Sequence, residues 1–464
     1  MADRTYPFAL GEVATQDASP DEPTDVRPAR QGVSALVRLF SHHERMDARA
    51  ATEGLSPLTV DDLVRIGLLH REGTRVTARF GIERFGAVLV LHDWAEWWLD
   101  PGYVMGVTNA ARSLAYLTPR RPVGTVLDLG TGSGIQAVLA AHHAERVVAT
   151  DVSERALSLA RATVDLNGLT NVELRQGSWF EPVDDDRFDL VVTNPPFVIS
   201  PENRLVYRDG GQDADDLCGM ILADVPAHLA PGGFSVMLVE WARRRGEEWW
   251  STPSRWMEGL AADGLAVRYG VMDPRQYAVR WNQASAADPA RMDRQVRAWV
   301  SYYEDLGLDQ MYEGVIALQA PSREGRTPSH WVVGASRVLD GPGGDQLRAV
   351  LAGHVAIDHA TPDGIFDAVP RLVDGHSLFQ ELRFEDGRYV MGQIRGGFDR
   401  GIGVDIAIAP DELPLVLSID GVRPLVTIVT EMSPDQRLED DRTLAVVTRL
   451  AHAGLLAFDR PSTP

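Results

Sequence analysis

Residues 124–134 read Gly-Thr-Val-Leu-Asp-Leu-Gly-Thr-Gly-Ser-Gly, and residues 146–151 read Arg-Val-Val-Ala-Thr-Asp. Short aliphatic runs closed by glycine or polar residues have the pattern of fully buried parallel strands. Between them, Ile135 to His143 has helical apolar spacing, and Glu154 to Asn167 repeats that spacing after the second run. Strand, helix, strand, helix predicts an α/β fold built on an open, doubly wound parallel sheet. Such sheets bind ligands beyond the carboxyl ends of their strands, which makes the glycine-rich turn at 130–134 a candidate binding loop.

Working outward, Asn171 to Arg175, Phe188 to Thr193 and Phe234 to Val239 read as further strands, with Pro231-Gly232-Gly233 turning into the last. Ala266 to Met272 and Glu313 to Gln319 read as edge strands, with a helical stretch, Asp288 to Asp305, inserted between them. A chain of 464 residues suggests about three domains. Residues 1–31, rich in Asp, Pro, Thr and Ala, read as a disordered start. Residues 32–121 read as a winged-helix-like domain, with helices followed by a strand pair around Glu72-Gly73. The sheet then occupies 122–338. After a linker at Gly341-Pro-Gly-Gly344, residues 339–464 form a C-terminal mixed α/β unit. Its ending, Val446-Val-Thr-Arg-Leu-Ala-His-Ala-Gly-Leu-Leu456, echoes Asp62-Leu-Val-Arg-Ile-Gly-Leu-Leu69. The echo is either a second winged-helix-like module or a shared glycine helix cap.

Composition narrows the classes. With 44% apolar and 24% charged residues the chain is an ordinary globular one. It has no apolar run of about 18 residues that could span a membrane. Its N-terminus lacks the basic-then-apolar pattern of a signal peptide. Cys218 is the only cysteine, so neither an intramolecular disulfide nor an all-cysteine metal site can form. These features predict a cytoplasmic protein. All 45 basic residues are arginine, set against 66 acids for a net charge of −21. A nucleic-acid binder draws its affinity from a basic footprint, and none is visible. The 12 histidines lack metal-ligand spacing, so no metal is expected.

Two acids and three glycines carry the first chemistry. The Asp128-x-Gly130-x-Gly132-x-Gly134 spacing departs from the dinucleotide fingerprint G-x-G-x-x-G. A carboxylate at Asp128 repels a pyrophosphate and suits an ammonium. Asp151, ending the next strand, is placed to hold ribose hydroxyls. A zwitterionic amino-acid end with a free ribose describes S-adenosylmethionine. The second motif is Asn194-Pro195-Pro196-Phe197, directly after the fourth strand. Two prolines fix the backbone and remove two amide donors. The Asn194 oxygen and a neighbouring carbonyl can then hold the hydrogens of an NH₂ group, with Phe197 stacking on a flat amide or base. This is orientation chemistry rather than strong-base chemistry.

On these residues, Val104 to Glu240 resembles the class I S-adenosylmethionine-dependent methyltransferases of the Asn-Pro-Pro-Tyr/Phe type. It is especially similar to the HemK/PrmC-like glutamine methyltransferases and the RsmC/RlmG-like ribosomal guanine N2 methyltransferases. The resemblance implies a Rossmann-like sheet and a cofactor site of Asp128, Gly130, Gly132, Gly134, Asp151, Ser178, Trp179 and Asn194. It also implies a catalytic motif of Asn194, Pro195, Pro196 and Phe197. Ser178 stands where relatives carry an acid that accepts from the adenine amino group. Tyr103-Val-Met-Gly-Val and Tyr207-Arg-Asp-Gly-Gly211 give the layout of an actinobacterial methyltransferase group, which names no acceptor. Arg208 and Asp209 follow the motif and are candidates for the acceptor pocket, together with Phe197; Arg-Asp-Gly-Gly is equally an ordinary turn.

The predicted reaction is N-methylation of a planar amide or exocyclic amine. A protein or peptide acceptor suits the acidic surface better than RNA does, and a small-molecule acceptor stays open. The flanking units do not match the small helical N-domain of release-factor enzymes, which speaks against that acceptor. A different class, an S-adenosylmethionine-sensing regulatory protein, has no use for an Asn-Pro-Pro-Phe motif. The tryptophans at 94, 97, 98, 241, 249, 250 and 256 read as packing, and Arg243-Arg-Arg245 as a solvated face.

Overall fold

The computed structural model describes residues 35–97, 100, 102–201, 214–285, 288–322 and 325–459. The expected disordered start, Trp98, Arg208 and Asp209 lie outside the described residues.

The central sheet has eight strands: β1 Val123–Leu129, β2 Ala144–Asp151, β3 Val172–Gln176, β4 Phe188–Thr193, β5 Leu229–Arg244, β6 Asp263–Met272, β7 Leu308–Gln319 and β8 His330–Gly334. Their order is β3-β2-β1-β4-β5-β7-β6-β8. The first five strands run parallel, and β7 runs antiparallel to β5 and β6. This is a class I, Rossmann-like α/β arrangement. Val126, Leu127, Val147, Val148, Val191 and Val236 are fully buried, as strands covered on both faces require. Chain progress reverses between β1 and β4, and that switch point is where a doubly wound sheet opens a crevice.

Helices α1 Asn109–Leu117, α2 Ile135–Ala140 and α3 Glu154–Leu166 belong to the same core. In α3 the buried residues Ala156, Leu159, Ala160, Thr163 and Val164 follow helical spacing, and the Ser153 hydroxyl caps the first turn by accepting from Ala156 N at 3.2 Å. α2 stops at Ala140, short of His143. Asn171 Nδ2 donates to the Ala141 and Ala144 carbonyls, both at 3.0 Å, which satisfies the chain as it turns into β2.

The strands read as edges are interior: β7 lies between β5 and β6, and β6 is covered by β8, which the sequence reading missed. A further helix, α4 Pro274–Trp281, precedes the expected one, α5 Pro289–Asp305.

At the N-terminal side, helices Ala48–Leu55 and Val60–Arg65 lead into the hairpin Leu69–Glu72/Arg75–Ala78, with Met46–Asp47 as a third strand. One strand pair, around Glu72-Gly73, was expected; there are two. The second, Gly81–Phe85/Val88–His92, docks on α3. Leu89 N donates to Asn167 Oδ1 at 3.0 Å and Leu91 N to Thr163 Oγ1 at 3.1 Å.

The glycine stretch at 341–344 is a packing contact rather than a linker. Gly343 N donates to Tyr116 O at 2.8 Å, and a Cβ on Gly344 would lie 2.4 Å from the Thr118 carbonyl carbon. It opens α6 Gly344–Asp358, which buries Leu347, Val350 and Leu351 in the main core. α6 crosses α7 Asp440–His452 so closely that a Cβ on Gly353 would meet Ala451 O at 1.8 Å. The repeated sequence echo is a shared helix end. Leu68 N donates to Leu63 O and Leu455 N to Leu450 O, both at 2.9 Å, around left-handed Gly67 (φ 80°) and Gly454 (φ 71°). Both are Schellman caps. Among the described residues no helix is long and apolar enough to cross a membrane.

Candidate active site

Strand register brings the predicted residues to one level. Leu129 pairs with Thr150 on one side and Thr193 on the other, Thr150 with Arg175, and Thr193 with Met237. The next residues along three of these strands are Gly130, Asp151 and Asn194. With strands about 4.8 Å apart, Asp151 and Asn194 flank Gly130 across roughly 10 Å at the switch point. Ser178 and Trp179 follow the end of β3, on the Asp151 side.

The glycine turn is left-handed at Gly130 (φ 73°), Gly132 (φ 54°) and Gly134 (φ 87°), a conformation side chains resist. The three glycines differ in what surrounds them. A Cβ on Gly130 or Gly132 would meet nothing within 4 Å, so both face open space. A Cβ on Gly134 would sit 3.1 Å from Ala160 Cα, so the third glycine serves the packing of α2 on α3. Gly130 N and Thr131 N donate to Thr150 O at 2.9 and 2.8 Å, Gly132 N donates to Asp151 Oδ2 at 2.9 Å, and Gly134 N donates to Thr131 O at 2.9 Å. With these amides turned inward, the loop offers no nest of N–H groups to a phosphate.

Asp128 is 2% exposed. Its Oδ2 accepts from Thr131 Oγ1 at 2.7 Å and from Ala137 N, in the first turn of α2, at 2.9 Å. Burial pushes its carboxyl up to about 7, the two hydrogen bonds oppose that, and the Asp151 charge adds to it. Asp151 is also raised by burial, against the pull of its backbone hydrogen bonds. Its second oxygen accepts from Ser153 N at 2.9 Å. Two acids, both shifted toward neutrality, therefore meet beside an open glycine turn, and a cationic ligand relieves both.

Ser178 N donates to Glu181 Oε2 at 3.2 Å. Trp179 is half-buried against the core with φ 47°, a left-handed conformation costly for a bulky side chain. Asn194 is half-buried, and its Oδ1 is a buried atom with no hydrogen-bond partner among the described residues. Buried acceptors are rarely left unpaired, so this one is available to a ligand. Phe197 is 6% exposed within the main core, so its ring is mostly packed against protein.

Sequence reasoning missed a buried polar group beside this motif. Glu240, in the carboxyl-terminal half of β5, accepts from the Tyr277 hydroxyl of α4 and lies 4.0 Å from Arg280 Nη2. Arg280 Nη1 also pairs with Glu313 at 2.5 Å. An acid directly following the apolar run Val-Met-Leu-Val was the available signal. Of the tryptophans, Trp94, Trp241 and Trp256 are buried, whereas Trp97 and Trp250 are exposed. Arg243 pairs with Asp309 at 2.8 Å. Among the described residues no group of three or more His, Cys, Asp or Glu is arranged to hold a metal ion.

Residues 106–244 match the family described as "Methyltransferase small domain", and residues 8–79 a "Domain of unknown function (DUF7059)". The chain is 31% identical over 215 residues to a release factor glutamine methyltransferase of Xylella fastidiosa (strain Temecula1), covering 44% of this chain and 74% of that protein. It is 38% identical over 156 residues to a ribosomal protein uL3 glutamine methyltransferase of Bradyrhizobium diazoefficiens, covering 31% of this chain and 49% of the relative. It is 34% identical over 110 residues to a ribosomal RNA small subunit methyltransferase C of Alcanivorax borkumensis, covering 24% and 30%.

Proposed function

The chain belongs to the class I S-adenosylmethionine-dependent methyltransferases of the HemK/PrmC-like and RsmC-like kind, and we propose that it N-methylates a planar side-chain amide, a glutamine, in a protein of the translation apparatus. The observation that carries this acceptor is the buried, unpartnered Asn194 Oδ1 at the end of β4. A primary amide offers it an N–H donor, and Pro195 and Pro196 keep the local backbone from rotating away.

The residues present fit the cofactor. Open space over Gly130 and Gly132 admits a ligand to the backbone, and the two raised acids favour a positive one. Asp128 would hold the ammonium, Asp151 the ribose hydroxyls, and Ser178 with Trp179 would border the adenine. When bound, S-adenosylmethionine supplies a methyl group on a positively charged sulfur. Asn194 and the neighbouring carbonyl hold the acceptor nitrogen with its lone pair toward that group, so the rate gain comes from orientation. Phe197 forms the apolar wall behind the amide, and Arg208 and Asp209 stay candidates for acceptor contact on the sequence alone. The 32–121 and 339–464 units then serve as acceptor-docking domains around the 122–338 catalytic unit. An acceptor of this kind places the enzyme in the cytoplasm.

The test is methyl transfer from labelled S-adenosylmethionine to unmethylated release factors and ribosomal proteins, with the site mapped by mass spectrometry. Label on a glutamine amide, abolished by Asn194→Ala, is the expected result. Label confined to RNA or to small molecules would overturn the acceptor. The net charge of −21 argues against RNA.

A further inference from the structure

Beyond Phe197 the chain has left the sheet yet stays buried through Ser200. A buried segment outside a strand ladder must find other partners for its backbone N–H and C=O groups. Ile199 finds them in two tyrosine side chains. Its N–H donates to the Tyr277 hydroxyl oxygen at 3.2 Å, and its carbonyl accepts from the Tyr303 hydroxyl at 2.7 Å.

Tyr277 stands on α4 and Tyr303 on α5, the two helices inserted between β6 and β7. Both are fully buried, with rings edge-on at 6.1 Å. The Tyr277 hydroxyl donates in turn to Glu240 Oε2, so its lone pair faces Ile199. Glu240 lies three residues beyond Met237, the partner of Thr193, and therefore stands at the level of the Asn194 motif.

We propose that Tyr277 and Tyr303 are positioning residues for methyl transfer: by gripping Ile199 from both sides they fix the segment that carries Asn194 to Phe197, with Glu240 orienting the Tyr277 hydroxyl. The consequence for transfer rests on the reading that Asn194 holds the acceptor. The grip itself rests only on the geometry at Ile199. Burial pushes the Glu240 carboxyl up to about 8, with Arg280 opposing, so near neutrality its closest mimic is an amide. Glutamine at 240 keeps an oxygen for Tyr277, whereas alanine does not.

The experiment uses the full-length protein with S-adenosylhomocysteine bound, as wild type, Tyr277→Phe, Tyr303→Phe, Glu240→Gln and Glu240→Ala. Hydrogen exchange of peptides spanning 194–200 is followed by mass spectrometry, alongside S-adenosylhomocysteine affinity. Each Phe variant should speed exchange in that segment by about tenfold or more relative to β1 and β2, because a local opening becomes cheaper without global unfolding. Cofactor affinity should stay within about twofold, and Glu240→Gln should resemble wild type where Glu240→Ala resembles Tyr277→Phe. With an unmethylated release factor as acceptor probe, the Phe variants should lose kcat by about tenfold or more at little-changed KM.

Unchanged exchange over 194–200 in both Phe variants would overturn the proposal. So would acceleration spread evenly over the whole sheet, which marks a merely structural role. A wild-type enzyme inactive on the release factor would overturn that acceptor alone, since the exchange measurement needs no acceptor.

Discussion

Asp151 Oδ2 accepts the Gly132 N–H at 2.9 Å, which joins the acid ending β2 to the middle of the glycine turn after β1. The other oxygen caps the approach to α3 through Ser153 N, also at 2.9 Å. One carboxylate thus shapes the turn, and in the proposed reading it also holds the ribose hydroxyls.

Replacing it removes both functions at once. Asp151→Ala should weaken S-adenosylmethionine binding by about 100-fold or more, the worth of two charge-assisted hydrogen bonds to ribose hydroxyls. Titration calorimetry measures it directly. Asp151→Asn keeps one acceptor oxygen and should fall between wild type and alanine. Wild-type affinity in the alanine variant would remove Asp151 from the ribose site.

Asp128 predicts a pH dependence with a definite sign. Its carboxyl, raised to about 7 by burial, holds a proton more tightly in the ligand-free fold than in the unfolded chain. Its contribution to stability is therefore fully present below about pH 4 and is lost as pH rises through about 7, on the order of 4 kcal/mol in all. Ligand-free wild type should lose Tm from pH 5 to 8 more steeply than Asp128→Asn. S-adenosylmethionine carries positive charge, so its affinity should rise about tenfold from pH 6 to 8 in wild type. The ligand's own amino group titrates near pH 8, so the diagnostic quantity is wild type minus Asp128→Asn. Parallel profiles in the two proteins would exclude Asp128 as the titrating group.

The glycines of the turn separate binding from folding. Gly132→Ala places a methyl in open space at φ 54°, so it should cost about 1 kcal/mol of stability while blocking the ligand's approach. Gly134→Ala drives a methyl to 3.1 Å from Ala160 Cα at φ 87°, so its cost falls on the packing of α2 against α3. Thermal denaturation of both without ligand should rank Gly134→Ala as clearly the less stable. Calorimetry should rank Gly132→Ala as the weaker binder per degree of Tm lost. The reverse ranking would mean that the open space over Gly132 is not the cofactor's.

How far the sequence reached is visible in the same residues. Buried parallel strands announce themselves as aliphatic runs with terminal punctuation, so β1, β2, β3 and β4 were legible, and with them the level of Asp128, Asp151 and Asn194. Edge or interior placement was not, because β8 is a five-residue segment, His-Trp-Val-Val-Gly, with no strand periodicity of its own. Gly344 reads like a linker for the same reason it packs against Thr118: a missing side chain signals freedom or closeness equally well. The Ile199 grip was illegible because it joins residues 78 and 104 positions apart through tyrosines that local pattern reads only as apolar helix faces.

Trp179 offers the last separation, because its backbone and its ring make opposite demands. At φ 47° a tryptophan costs about 1–2 kcal/mol relative to a relaxed conformation, while the next residue, Phe180, is stacked on His228 at 4.4 Å and holds the chain in place. Trp179→Ala keeps the backbone cost and loses the ring; Trp179→Gly loses both. The glycine variant should therefore be about 1 kcal/mol more stable than the alanine variant in ligand-free denaturation. Both should bind S-adenosylmethionine about tenfold more weakly than wild type if the ring borders the adenine. Affinity that stays at the wild-type level in both variants, with the stability difference intact, would assign the strained backbone to the turn after β3 and leave the adenine to other residues.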